Sequence, residues 1–180
     1  MTEEKKAYLQ YAFRYGSIAG FIMFLYNLLG FYTKFENKLL FSDIGFAITL
    51  FFLLYVFRHY RRLYSNQNIK FGRYFAIGCL VTLCIAAFNT LYLYLKITIL
   101  DPFYFTQVLN AMFEMMKEYK INNIELFTEN PQLIPVMKAS FLFTSFILSF
   151  VGNILYVLLL AWTMVINKKI YNNTNQNNNG

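Results

Sequence analysis

The sequence predicts an all-α membrane protein: a four-helix transmembrane bundle with an extra amphipathic interfacial helix between spans three and four. Three observations carry this. Four apolar stretches approach or exceed the roughly 20 residues that an α-helix needs to cross a hydrocarbon core about 30 Å thick. Of 180 residues, 58% are hydrophobic and only 14% charged, against about 25% charged in soluble domains. The basic residues collect beside these stretches rather than inside them.

The first span, YGSIAGFIMFLYNLLGFYT at about 15–33, contains no charge. Its basic leader, KKAYLQYAFR, would suit a signal peptide, but the apolar region is too long and no small-residue cleavage site follows. It is read as an uncleaved span. The second, LLFSDIGFAITLFFLLYVF at 39–57, has one charge, Asp43, near its start. There a carboxylate sits at headgroup depth and is hydrated. The third, YFAIGCLVTLCIAAFNTLYLYL, covers about 74–96, and the fourth, ASFLFTSFILSFVGNILYVLLLAWTMVI, covers 139–166. Phe, Tyr, Ile and Val also favour strands. Barrel strands, however, are short and alternate apolar with polar residues, whereas these runs are apolar on every side.

Between spans two and three lies FRHYRRLYSNQNIKFGR, with Arg58, Arg61, Arg62, Lys70 and Arg73 and the single histidine, His59. Lys and Arg accumulate in short cytoplasmic loops and set orientation. With four spans, this loop, the leader (Lys5, Lys6, Arg14) and the end (Lys168, Lys169) fall on one side. Lys34, Lys38, Lys96, Lys117, Lys120 and Lys138 fall on the other. Ten against six places both termini in the cytoplasm. A net charge of +7, with Tyr60 and Tyr64 among the arginines, also fits stacking on nucleic acid. A loop bounded by two spans needs these charges for topology in any case, so they are read as topology anchors and no nucleic-acid partner is expected. Attraction to anionic headgroups is a by-product, about 1 kcal/mol per basic residue near the surface.

The segment at about 101–130, which begins DPFYFTQVLNAMFEMMKEYK, is too polar to span. Asp101 can cap free N–H groups, and Pro102 suits the first helical position, where a missing donor costs nothing. Phe105, Val108, Leu109, Met112, Met116 and Tyr119 recur at helical spacing, with Glu114, Lys117 and Glu118 toward the opposite face. This amphipathic helix is expected along the outer bilayer surface or over the bundle. Glu114 and Glu118 share a face, but two carboxylates without further ligands make a poor transition-metal site. Pro131 and Pro135 are expected to break the chain before the last helix.

Helices in lipid associate where small residues let backbones approach. Gly16 and Gly20 form a GxxxG in the first span, and Gly78, Thr82, Ala86 and Thr90 recur four apart in the third. The second has Gly45 and Thr49, and the fourth Ser145, Ser149 and Asn153 beside Gly152. These stripes most simply line contacts inside one bundle; a homodimer through GxxxG is the sharper alternative. The intramembrane polar residues Asn27, Asn89 and Asn153 lie on three different spans. They are expected to hydrogen-bond between helices, with a polar pathway as the competing reading.

Cys79 and Cys84, five apart on one helix, point away from each other and suggest no disulfide or zinc role. GxSxG, HExxH, Walker A and GxGxxG motifs are absent. The expectation is therefore a non-enzyme without cofactor or metal. The tail from residue 170, ending NNTNQNNNG, is low-complexity and expected to be disordered.

YGSIAGFIMFLYNLLG, the junction IKFGRYFAIGCLVTLCIAAFNTLYLYL, and DPFYFTQVLNAMFEMMKE occur in this order. With the last span and its KK end they extend from about Tyr11 to Lys169. In these pieces and in its layout the chain resembles a bacterial integral-membrane family known only as domain of unknown function number 4199. It departs from that pattern in its abundance of Asn and aromatic residues. The resemblance implies four spans in an inner membrane and supplies no activity and no site residues. The expected role is a non-catalytic membrane component whose partners are membrane lipids, further copies of itself or other membrane proteins. A small transporter or channel subunit with a polar seam is the alternative.

Overall fold

A backbone surrounded by lipid must satisfy its N–H and C=O groups internally, and long unbroken apolar runs do so as helices. In the computed structural model four helices are long and apolar enough to cross a membrane, over Lys6–Tyr32, Leu40–Leu63, Phe71–Leu100 and Leu133–Ile166. The structure describes residues 3–37, 39–64, 69–118 and 133–177, and among these no strand occurs. The helices are α1 (Glu3–Tyr32), α2 (Leu39–Leu63), α3 (Phe71–Leu95), α4 (Tyr104–Glu118) and α5 (Leu133–Asn177).

The helix ends follow from local chemistry. The Thr33 hydroxyl donates to the Leu29 carbonyl at 2.7 Å, and Lys34 takes the left-handed conformation (φ 55°) that stops α1. A 3-10 turn, Phe35–Asn37, leads into α2. Tyr26 clamps this hairpin: its ring stacks on Phe41 at 4.4 Å and its hydroxyl donates to the Phe41 carbonyl at 2.6 Å. At the other end of α3 the helix widens into a π turn, Lys96–Leu100, closed by Asp101 N–H donating to the Lys96 carbonyl at 2.8 Å. The Asp101 carboxylate then accepts from Tyr104 N–H at 3.1 Å, the capping role its sequence position predicts.

α3 is the central helix. Its interfaces with α1 and α5 are the most extensive, and α2 closes the bundle through shorter contacts with α1, α5 and α3. Ala12 and Ala19 of α1, Leu53, Val56 and Phe57 of α2, Ile77 and Val81 of α3, and Val157 and Ala161 of α5 have no exposed surface. Lipid tails would match this core in polarity, so in a bilayer close packing rather than escape from water would hold it together.

Two sequence expectations change. Pro135 does not interrupt the last helix: α5 begins at Leu133, so Pro135 lies in the first turn, where backbone N–H groups have no intrahelical partner to lose. On α4 the buried positions are Phe105 and Phe113, whereas Met112 and Met115 are exposed. Phe105 is fixed by an edge-to-face contact with Phe141 of α5, centroids 5.8 Å apart, which rotates the buried stripe away from the methionines. The predictions for residues 119–130 and for Pro131 lie outside the described residues.

Candidate functional site

The small residues are where the backbones come closest. A Cβ on Gly16 would lie 3.0 Å from the Cys84 sulfur and 3.1 Å from the Val81 backbone. One on Gly20 would collide with the Phe88 ring, and one on Gly78 with Val157 and Phe57. The GxxxG face of α1 is thus occupied by α3 of the same chain, and Gly78 is where α3 admits α5 and α2. Thr82 and Ala86 are fully buried, and the Thr82 hydroxyl is satisfied by the Cys79 carbonyl at 3.1 Å. Gly152 differs, since a Cβ there would meet nothing within 4 Å.

Two of the three intramembrane asparagines meet. Asn27 of α1 donates its amide to the Asn89 side-chain oxygen of α3 at 3.0 Å, and Asn89 donates at 3.4 Å to Ser149 of α5. Asn153 instead donates to the Ser149 carbonyl of its own helix at 2.7 Å. A cavity of about 240 Å³ adjoins this seam, lined by Asn27, Asn89, Thr90, Tyr92, Leu93, Ser145 and Ser149. Among the described residues its lining offers amides and hydroxyls but no charged group.

Toward the end of the bundle that carries the 3-10 turn, Tyr92 links the cavity to a charged cluster. Its hydroxyl donates to Glu36 at 2.9 Å. Lys96, 7% exposed, lies 3.0 Å from both Glu36 carboxylate oxygens and 3.9 Å from the centre of the Tyr104 ring. These four side chains join α3, the turn before α2 and the first turn of α4. Sequence reasoning missed the cluster; its one visible trace is a lysine continuing the YLYL run without a break.

The opposite end is basic. Arg58, Arg61 and Arg62 close α2, and Lys70, in extended conformation (ψ 155°), precedes α3, with Arg73 N–H donating to the Lys70 carbonyl at 3.0 Å. All five predicted anchors therefore share one end. Arg58, Arg62, Lys70 and the nearby Arg14 are exposed. Beside them the Tyr11 hydroxyl donates to the Val56 carbonyl at 2.9 Å and lies 3.1 Å from His59 Nδ1. The tyrosine proton is engaged by the carbonyl, which leaves the hydroxyl oxygen as the group that faces the imidazole. The imidazole stacks with Tyr55 and Tyr11 at 5.8 and 6.0 Å. A groove of about 320 Å³ runs along this face of α2, lined by Phe51, Leu54, Tyr55, Arg58, His59 and Arg62. Among the described residues no group of three or more His, Cys, Asp or Glu could hold a metal ion.

The family model for a protein of unknown function (DUF4199) matches residues 14–174. The chain belongs to this family. No curated protein and no solved structure matches it. Membership of DUF4199 brings no activity with it, so the chemistry of this member rests on its own seam, charged cluster and basic groove.

Proposed function

We propose that the protein is a non-catalytic component of the inner membrane that acts through protein–protein or lipid contacts within the bilayer. In this reading both termini lie in the cytoplasm and α4 lies along the outer surface, its exposed Met112 and Met115 facing lipid or a partner. One observation supports the reading most: among the described residues, every buried polar side-chain atom has a partner within the bundle. Asn27, Asn89 and Ser149 form one hydrogen-bonded seam, and on the side of the seam toward the basic end Ile77, Val81, Thr82, Ile85 and Ala86 of α3 are buried at 1% exposure or less. A conduction path needs polar groups or water along its whole length.

The 240 Å³ cavity beside the seam favours a second reading, a small transporter or channel subunit for a neutral solute. Flux measurement separates the two. Proteoliposomes carrying the full chain are expected to leak ions and small polyols no faster than protein-free vesicles. Saturable flux that is lost in Asn89→Leu would replace the interaction role with transport.

A further inference from the structure

The groove on α2 is built in the same order as a phospholipid. Its residues, Phe51, Leu54, Tyr55, Arg58, His59 and Arg62, are spaced three and four apart and so share one helix face. The half nearer the middle of the span is apolar, and the half at the helix end is cationic. Phe51 is 68% and Tyr55 46% exposed, so this face is not filled by the rest of the bundle. Arg58 and Arg62 lie one turn apart, an arrangement in which like charges repel. Neither has an ion-pair partner among the described residues. His59 is held beside them by its stacking and by Tyr11.

We propose that this groove binds an anionic phospholipid, its phosphate held between Arg58 and Arg62 and one acyl chain lying along Leu54 and Phe51. Guanidinium groups match phosphate oxygens through paired N–H donors, and an anion between the two arginines relieves their repulsion. A free phosphate shares the headgroup chemistry but leaves the apolar half of a 320 Å³ groove unused. The inference names the lipid class for the interaction role proposed above, and it holds whichever side of the membrane the basic end faces.

The test uses the full chain purified in neutral detergent, with bound lipid read by native mass spectrometry during titration with phosphatidylglycerol or phosphatidylcholine of matched chains. Wild type is expected to prefer phosphatidylglycerol about thirtyfold, the scale that two basic residues supply. Arg58→Gln with Arg62→Gln removes that preference. Arg14→Gln with Lys70→Gln, equal in charge change but outside the groove, keeps it. Phe51→Ser, at an exposed position that the fold does not need, weakens binding of the long-chain lipid. Equal loss in the Arg14/Lys70 variant would reduce the effect to diffuse charge and overturn the site. Competition by millimolar inorganic phosphate as effective as that by lipid, or unchanged affinity in Phe51→Ser, would overturn the lipid assignment. Flux through vesicles would sink the non-transport role without altering this preference, so the two failures are distinguishable.

Discussion

Glu36 and Lys96, 60 residues apart in sequence, form an ion pair in which the ammonium lies 3.0 Å from both carboxylate oxygens. The lysine side chain is 9% and the glutamate 17% exposed. Removing one member of such a pair leaves a desolvated charge, which costs roughly 3–5 kcal/mol at full burial. Glu36→Gln is therefore expected to lower thermal stability in detergent markedly, and Lys96→Met to do the same. The double variant should recover most of the loss. Additive losses in the double variant would show that the pair is not coupled.

Gly20 and Gly152 offer a matched comparison. Both are helical glycines in candidate spans, yet a side chain at Gly20 collides with Phe88 while one at Gly152 meets open space. Overpacking a filled contact costs about 1–3 kcal/mol and sometimes more. Gly20→Leu should broaden or lower the unfolding transition in detergent, and Gly152→Leu should leave it within error. At Gly78, where Val157 is the main obstruction, Gly78→Ala should be partly rescued by Val157→Ala. Equal effects at positions 20 and 152 would remove the case for close α1–α3 approach.

The lengths of the apolar runs made four helices legible, because the hydrocarbon thickness imposes a minimum length that composition alone reveals. Which side chains meet was less legible. Asn27, Asn89 and Asn153 are equivalent in sequence, and only helix rotation decides that two pair across α1 and α3 while the third turns back on α5. Met112 and Phe113 both satisfy a helical repeat from Phe105, and the neighbouring Phe141 selects between them. The Glu36–Lys96 pair joins a short turn to the end of a span, a relation that no periodicity encodes. Pro135 signals a break in sequence but sits in a helical first turn, where the rule against proline lapses.

The proposed orientation rests on the clustering of Arg58, Arg61, Arg62, Lys70 and Arg73 at one end with the start of α1. An excess of Lys and Arg in short loops selects the cytoplasmic side. A fluorescent protein fused after Lys169 should fold and emit, and alkaline phosphatase at the same position should be inactive. Active phosphatase would invert the arrangement and put α4 in the cytoplasm. Replacing the five anchors with Gln should produce a mixture of orientations, visible as partial activity of both reporters.

The Asn27–Asn89 contact can be isolated by a double-mutant cycle. Its 3.0 Å geometry suits a hydrogen bond, and such bonds within membranes contribute about 0.6 kcal/mol on average, up to about 1.7. Asn27→Leu leaves the Asn89 oxygen without its donor, and Asn89→Leu additionally frees the Ser149 hydroxyl from its 3.4 Å partner. The Asn89 variant should therefore be the less stable of the two. The pair of substitutions should cost less than the sum, because no orphaned amide then remains in an apolar seam. Asn153→Leu breaks only a bond within α5 and should not couple to Asn27. Coupling between 27 and 153 equal to that between 27 and 89 would mean that all three amides share one cluster in the membrane, and the hydrogen-bonded seam would have to be redrawn with α5 rotated toward α1.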